Sequence, residues 1–410
     1  MRHPGLYAVA IVFLAGSYAS GDSTLTTLVS KGPSSNRVDI VFMGDGYTQA
    51  DVDDGKYDTH ITNTTNHIFE DHWRSAPLFR YRNFFNIHSI ETISQDSGPA
   101  ASLQDINDGT HNTPIGSYFF TSRHLGINRN KASDILTTLD GTGIDAEMRF
   151  ISVNSEADAG SGGIYAVYAG GYTNGPEIAL HEIAHAFSDL GDEYDGYPAW
   201  GGLEPDRANL TKDSTGAKWS HWNGYVDSDL PDHIKAMVGP IGAYEGGGGY
   251  DTGLYRPSDS SKMRQLFLPF NAVSREKIIL DIYALVDPFD SWTDNSLSLI
   301  DPGELNVNCV DDDVINVEWF VDDELISTDS GGAFDLTDFG YGQGDYIIKA
   351  RGYDPTGFDP IDGWVRMNQG ELEQYVSWDV SVTPEPCTLL LLTLGGLVIT
   401  RPRRTRSRKA

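Results

Sequence analysis

Two cysteines in 410 residues leave little scope for covalent crosslinks. One of them, Cys387, falls in a C-terminal segment expected to be removed, which leaves Cys309 alone and the fold held by packing without a disulfide. Positive charge is scarce as well: 29 Lys and Arg stand against 59 Asp and Glu, a formal net charge of −30. A surface of that sign repels phosphate backbones, so nucleic acid is not an expected partner, and solubility in a cation-rich exterior is the plainer reading. The apolar runs near the two ends are short or marginal for a membrane span. No internal repeat is visible, and no Asp-rich loop has the ligand spacing of an EF-hand. Loops such as CVDDDVI (309–315) read as solvated acidic turns, with Ca²⁺ as the less favoured alternative.

What is present is enough for folded domains: 39% of residues are apolar and 11% aromatic, and the length predicts two or three domains. Residues 1–20 have a short basic start, an apolar run from Leu6 to Ala15 and small residues around Ala19, the pattern of a signal peptide cut by signal peptidase. At the other end, residues 384–410 carry Pro-Glu-Pro, an apolar segment to about Thr400 and a block of Arg and Lys. That order resembles the PEP-CTERM sorting signal, which implies an exosortase-type processing enzyme and delivery to the cell surface, matrix or exterior of a Gram-negative bacterium. By charge, the basic flank stays on the cytoplasmic side, so the membrane is a transient partner through this segment.

Between the ends the texture changes once. Val38–Met43, NFFNIHSIET (83–92) and AEMRFISVN (146–154) read as strands, and RNKASDILTTLD (129–140) has helical spacing at Ala132, Ile135, Leu136 and Leu139. Such alternation predicts an α+β domain, a mixed sheet covered by helices, over residues 25–290. GGIYAVYAGG (162–171) is a further strand, readable either as an edge that holds an extended peptide or as buried core. From residue 295 to 382 the chain shows short period-2 runs separated by Gly, Asp and Pro, which predicts a small all-β sandwich of immunoglobulin-like type.

The chemistry concentrates in EIALHEIAHAFSDLGDEYDG (177–196). Residues four apart on a helix share a face, so His181 and His185 can direct imidazoles at one ion, while Glu182 can reach a bound water without ligating. A hydrolytic Zn²⁺ site takes three protein ligands and keeps one position open. Asp192 and Glu193 follow closely, and Gly191 is the residue expected to end the helix and permit the reversal. A short side chain after a tight turn favours Asp192 as third ligand, with Glu193 as the alternative.

HEIAHAFSDLGDEY resembles the HExGHxxxxLxDEY signature of the bacterial metallopeptidase family named after an IgA-cleaving endopeptidase. RVDIVFMGDGYT, FFNIHSIETISQDSG, NSEADAGSGGIYAV and GAYEGGGGYDTGLYRPSDSSKMR are similar to further segments of that family. The resemblance implies a metzincin-like zincin domain in which His181 and His185 are zinc ligands, Glu182 is the catalytic base, Asp192 is the third ligand and Met263 forms a Met-turn beneath the metal. Tyr255 and Arg256 are candidates to stabilise an oxyanion. Ala184 stands where the family has Gly, a departure that touches helix packing more than chemistry. The expected function is a secreted zinc-dependent endopeptidase acting on protein or peptide substrates by a metal-activated water. The alternative is a noncatalytic surface or matrix adhesion protein on a peptidase-like scaffold.

Overall fold

A computed structural model describes residues 23–70, 73–328, 332–359, 361 and 363–384. The expected signal peptide lies outside these residues, as does the expected sorting segment beyond Pro384, with Cys387. No helix among the described residues is long and apolar enough to cross a membrane. The chain forms two compact units, and the larger runs through Asp290 and takes in Cys309–Asn316 and Gly352–Gln374.

The larger unit is built on an eight-stranded sheet of β1 (Ser23–Val29), β2 (Val38–Asp45), β3 (Phe85–Thr92), β4 (Tyr118–Thr121), β5 (His124–Gly126), β6 (Met148–Val153), β7 (Gly160–Ser161) and β8 (Ala166–Ala169). Their spatial order is β1-β3-β2-β6-β8-β7-β5-β4. The centre is parallel, with Ile40 of β2 facing Ile87 of β3 and Met148 of β6, while β1, β7 and β4 each pair antiparallel with a neighbour. Every residue of β2 is buried, as expected of a continuous apolar strand covered on both faces.

Alternation along the strands sorts the core into two layers. Phe42, Phe150 and Tyr168 point to one side and meet Tyr57, Ile61 and Ile68 of the helix Lys56–Glu70 and Ile178, Ala179 and Ile183 of the helix Gly175–Ser188. Val41, Met43, Ile151, Val153 and Val167 point to the other, where Ala132 of the helix Arg129–Leu136 packs. The mixed sheet with helices on it is thus present, and the two readings left open for GGIYAVYAGG resolve: β8 is wholly buried and sits between β6 and β7, so it is an interior strand.

Residues 352–374 join the larger unit through a buried carboxylate. Asp354 accepts hydrogen bonds from Tyr81 Oη at 2.6 Å, Arg80 Nη2 at 2.7 Å and Tyr283 Oη at 3.1 Å, and Val365 and Leu372 enter the same core. Asp311, in the acidic loop considered for Ca²⁺, takes a hydrogen bond from Asn83 Nδ2 at 2.8 Å. Cys309 carries a free thiol that burial pushes up to about 12.

The smaller unit comprises Ser291–Asn308, Val317–Arg351 and the chain from Tyr375. Trp319 on the strand Asn316–Val321 stacks on Trp378 of the strand Glu373–Val382 in the same sheet at 5.7 Å and on Phe334 of the strand Ala333–Asp335 in the other sheet at 5.1 Å. Those strands belong to a five-stranded and a three-stranded sheet, so the three rings join two sheets into one core.

Phe42 is fully buried and stacks on Phe150 at a centroid distance of 4.7 Å. Phe42→Ala is expected to cost about 3–5 kcal/mol of stability, read as a lower urea midpoint at unchanged slope.

Candidate active site

The helix Gly175–Ser188 has Pro176 in its first turn and buries Ile178, Leu180, Ile183 and Ala184, leaving His181 and His185 half-buried on one side. Ala184 is buried in the core, and its carbonyl accepts the closing bond from Leu190 N, so its methyl group is packing material. The reversal expected at Gly191 occurs earlier, at Asp189, which holds a left-handed conformation with φ 49°. Gly191 instead lets the Leu210 side chain pack closely, since a Cβ there would meet Leu210 Cδ1 and displace it.

The two imidazoles are oriented by backbone carbonyls. His181 Nδ1 lies 3.0 Å from Lys262 O and His185 Nδ1 lies 2.6 Å from Leu190 O. A carbonyl only accepts, so each Nδ1 carries the proton and each Nε2 of the neutral ring presents a lone pair. Those Nε2 atoms are 3.2 Å apart, and Asp192 Oδ1 sits 3.1 Å from both. Three acceptors in so small a triangle repel one another unless a proton or a metal ion lies among them, and two imidazoles with a carboxylate are a donor set that fits a metal ion. Burial acts to raise the Asp192 carboxyl, but the two histidines hold it well below the usual carboxylate range. Burial likewise acts to lower His185, and Asp192, Glu182 and the Leu190 carbonyl together raise it.

Asp192 and Glu193 are separated by register. Gly248 N donates to Asp192 O at 2.7 Å, Gly249 N to Tyr194 O at 2.9 Å, and Glu193 N to Met263 O at 2.7 Å. The segment is extended and held from both sides, so residues 192 and 194 face one way and 193 the other. The clamp comes from the tip of the hairpin Tyr244–Gly247 and Tyr250–Arg256, where Gly248 has φ +62° and a Cβ would meet Leu254 Cδ1 at 2.8 Å. Glu193 turns into the interior, accepting from Ser261 Oγ at 2.7 Å, Asn209 Nδ2 at 2.9 Å and Asn271 Nδ2 at 3.0 Å. Burial pushes its carboxyl up, and these bonds pull it back. The structure therefore brings Asp192 to the histidines and takes Glu193 away from them.

Among the described residues, one group of three His, Cys, Asp or Glu side chains has ligand atoms within 4.8 Å of one another, namely His181, Glu182 and His185. Asp192 is at hydrogen-bond distance from both imidazoles, so it closes the triangle and leaves Glu182 as a neighbour. Burial raises the Glu182 carboxyl, while the two histidines oppose the rise. Gly162 makes room for it: a Cβ there would stand 2.7 Å from Glu182 Oε2 and 2.7 Å from His185 Cδ2.

Met263 is fully buried in the core, and its carbonyl supports Glu193. Tyr255 pairs through its backbone with Thr211 and is not among the residues lining the hollows beside the histidines. Arg256 spends its guanidinium on the carbonyls of Glu245 and Gly246, at 2.7 and 2.9 Å, and so braces the glycine hairpin. The aromatic that does line both hollows is Tyr194, whose hydroxyl is kept protonated by burial and by the charge of Asp192. His124 lines them too and lies within electrostatic reach of Glu182. Tyr194 was visible as the last letter of DEY, whereas a lone His124 and the Gly162 contact carry no local sequence signal.

One family model, IgA peptidase M64, matches residues 26–237. That span covers more than half of the chain and contains the helix, Asp192 and Tyr194. The chain belongs to the IgA peptidase M64 family, a family of peptidases. No curated protein matches it.

Behind the site, Glu177 joins the helix to its surroundings. Its carboxylate pairs with the buried Lys262 ammonium, accepts from Phe267 N at 2.5 Å and lies 2.6 Å from His67 Nε2. Burial acts to raise Glu177, but Lys262 and His67 bring it to about 2, against an ordinary 4.5. A carboxyl depressed by folding stabilises the native state above its unfolded value and loses that contribution as pH falls through the folded one. Glu177→Gln is therefore expected to remove roughly 3 kcal/mol at neutral pH and to flatten the loss of unfolding free energy between about pH 5 and pH 2, measured by urea titration across that range.

Proposed function

We propose that the chain is an exported zinc-dependent endopeptidase that cleaves peptide bonds in protein substrates. The observation that carries this reading is the convergence of His181 Nε2, His185 Nε2 and Asp192 Oδ1 while both Nδ1 atoms are committed to carbonyls. Two neutral imidazoles and one carboxylate form a donor set that zinc takes with a position to spare. When bound, the ion supplies Lewis-acid polarisation of a carbonyl and lowers the pKa of a water.

The chain's own groups supply the rest. Glu182, raised by burial and free of the ligand triangle, accepts a proton from the attacking water and returns it to the departing amine. Tyr194, in place of Tyr255, is the aromatic hydroxyl available to donate to a substrate carbonyl. The hollows that meet at Glu182 leave room for an extended peptide to pass it. On this reading the larger unit is a zincin with Met263 as its Met-turn, and the smaller is an immunoglobulin-like accessory domain. Signal peptidase and an exosortase-type enzyme process the two ends.

Purified protein is expected to hold one zinc per chain and to cleave casein in a chelator-sensitive manner. Glu182→Ala should retain zinc by elemental analysis and lose about 10²–10⁴-fold in kcat, whereas His185→Ala should lose the metal. Gly162→Val, which crowds Glu182 and His185, should depress turnover while the protein stays folded. Absence of bound zinc at neutral pH, or tight glycan binding on an array with no proteolysis, overturns the reading in favour of an adhesion protein.

A further inference from the structure

If the chain is a peptidase as proposed above, its substrate must lie across the space around Glu182. Two hollows, of about 780 and 470 Å³, meet at His124, His181, Glu182 and Tyr194, so a peptide stretched across the site enters both. Their basic groups differ in how they are used. In the smaller hollow Arg123 pairs with Asp158 at 3.2 Å, Arg264 with Asp195 at 3.1 Å and Lys262 with Glu177. In the larger, Arg207 pairs with Asp189 at 2.6 Å, but Arg129 and Arg149 form no ion pair among the described residues.

Two unpaired guanidinium groups in one hollow are unusual in a chain with 59 acidic residues against 29 basic ones. Arg149 uses Nε on Ala146 O at 2.6 Å, and its guanidinium forms no other hydrogen bond among the described residues. Glu147 lines the same hollow, but its carboxylate accepts from Asp39 N at 2.8 Å and forms no ion pair with either arginine among the described residues. Arg129 lies against the glycine run that lines the hollow: its Nη2 is 3.7 Å from where a Cβ on Gly163 would stand, one residue from the Gly162 that abuts Glu182. Guanidinium forks with free donors beside a peptide path match a carboxylate by charge and by geometry.

We propose that the larger hollow is a carboxylate subsite, and that the enzyme favours peptides with a carboxylate close to the cleaved bond. That carboxylate belongs either to an Asp or Glu side chain or to the substrate's C-terminus. Matched peptides separate the two sources: one series exchanges Asp for Asn and Glu for Gln at each position around the cleaved bond, and a second exchanges a free for an amidated C-terminus. With the zinc-loaded full chain, kcat/KM is expected to be at least about tenfold higher for the carboxylate member of one series, and the series that shows it identifies the source. In the Arg129→Gln/Arg149→Gln variant the ratio should fall close to one.

Equal cleavage of both members by the wild-type chain in both series overturns the proposal, and so does an undiminished ratio in the double variant. The wild-type comparison needs no variant to fold. Anisotropy of the same fluorescent peptides on Glu182→Gln gives a second readout, in which the carboxylate member should bind about tenfold more tightly, and equal binding counts against the subsite. A chain that cleaves no peptide and binds no zinc refutes the peptidase reading, whereas cleavage without a carboxylate preference refutes the subsite alone.

Discussion

The carbonyl groups of Lys262 and Leu190 decide the state of the histidine pair. By taking the Nδ1 protons of His181 and His185 they leave two lone pairs directed at each other across 3.2 Å. An isolated imidazole can relieve such a conflict by turning or by exchanging tautomers. Here both escapes are closed, because turning either ring forfeits a half-buried hydrogen bond. The field at the triangle is thus a property of the backbone on which the rings hang, and a cation is what relaxes it.

That backbone is positioned by packing some distance from the triangle. The helix Gly175–Ser188 lies on the Phe42, Phe150 and Tyr168 face of the sheet, and its first turn is tied through Glu177 to Lys262, whose carbonyl holds His181. The loop after the helix is gripped by the glycine hairpin on one side and by Met263 on the other. Lys262 consequently holds one helix at two points, with its ammonium at the first turn and its carbonyl at the first histidine in mid-helix. Burying the Lys262 and Glu177 charges is tolerable because each is satisfied by the other and by hydrogen bonds.

Much of this was legible in the sequence where the determinants are local. The apolar run at Val38–Met43 lies within β2, 83–92 covers β3, and the spacing at Ala132, Ile135 and Leu136 falls on a helix. His181, Glu182 and His185 were readable because a helix sets their relation by spacing alone, and Asp192 because it follows within one turn of chain. What stayed hidden depends on chain from elsewhere. The choice between Asp192 and Glu193 is made by hydrogen bonds from residues 248, 249 and 263. The interior position of β8 follows from β7 pairing outside it, and a two-residue strand such as β7 leaves no periodic trace. Tyr255 stands just upstream of Met263 in sequence, but its backbone pairs within the glycine hairpin that serves the clamp, whereas Tyr194 faces the hollows by the same alternation that turns Glu193 inward.

The extended conformation of Asp192–Tyr194 makes the spacing between the second histidine and this segment a matter of parity. Shortening or lengthening the connection by a single residue, with the clamp intact, would swap the solvent-facing and interior sets, taking the carboxylate away from the two imidazoles and into a nest of amide and hydroxyl donors. A change of two would preserve the sets. Drift in loop length among homologues should therefore proceed by even steps here, while the loops around the outer strands remain free to vary by any number.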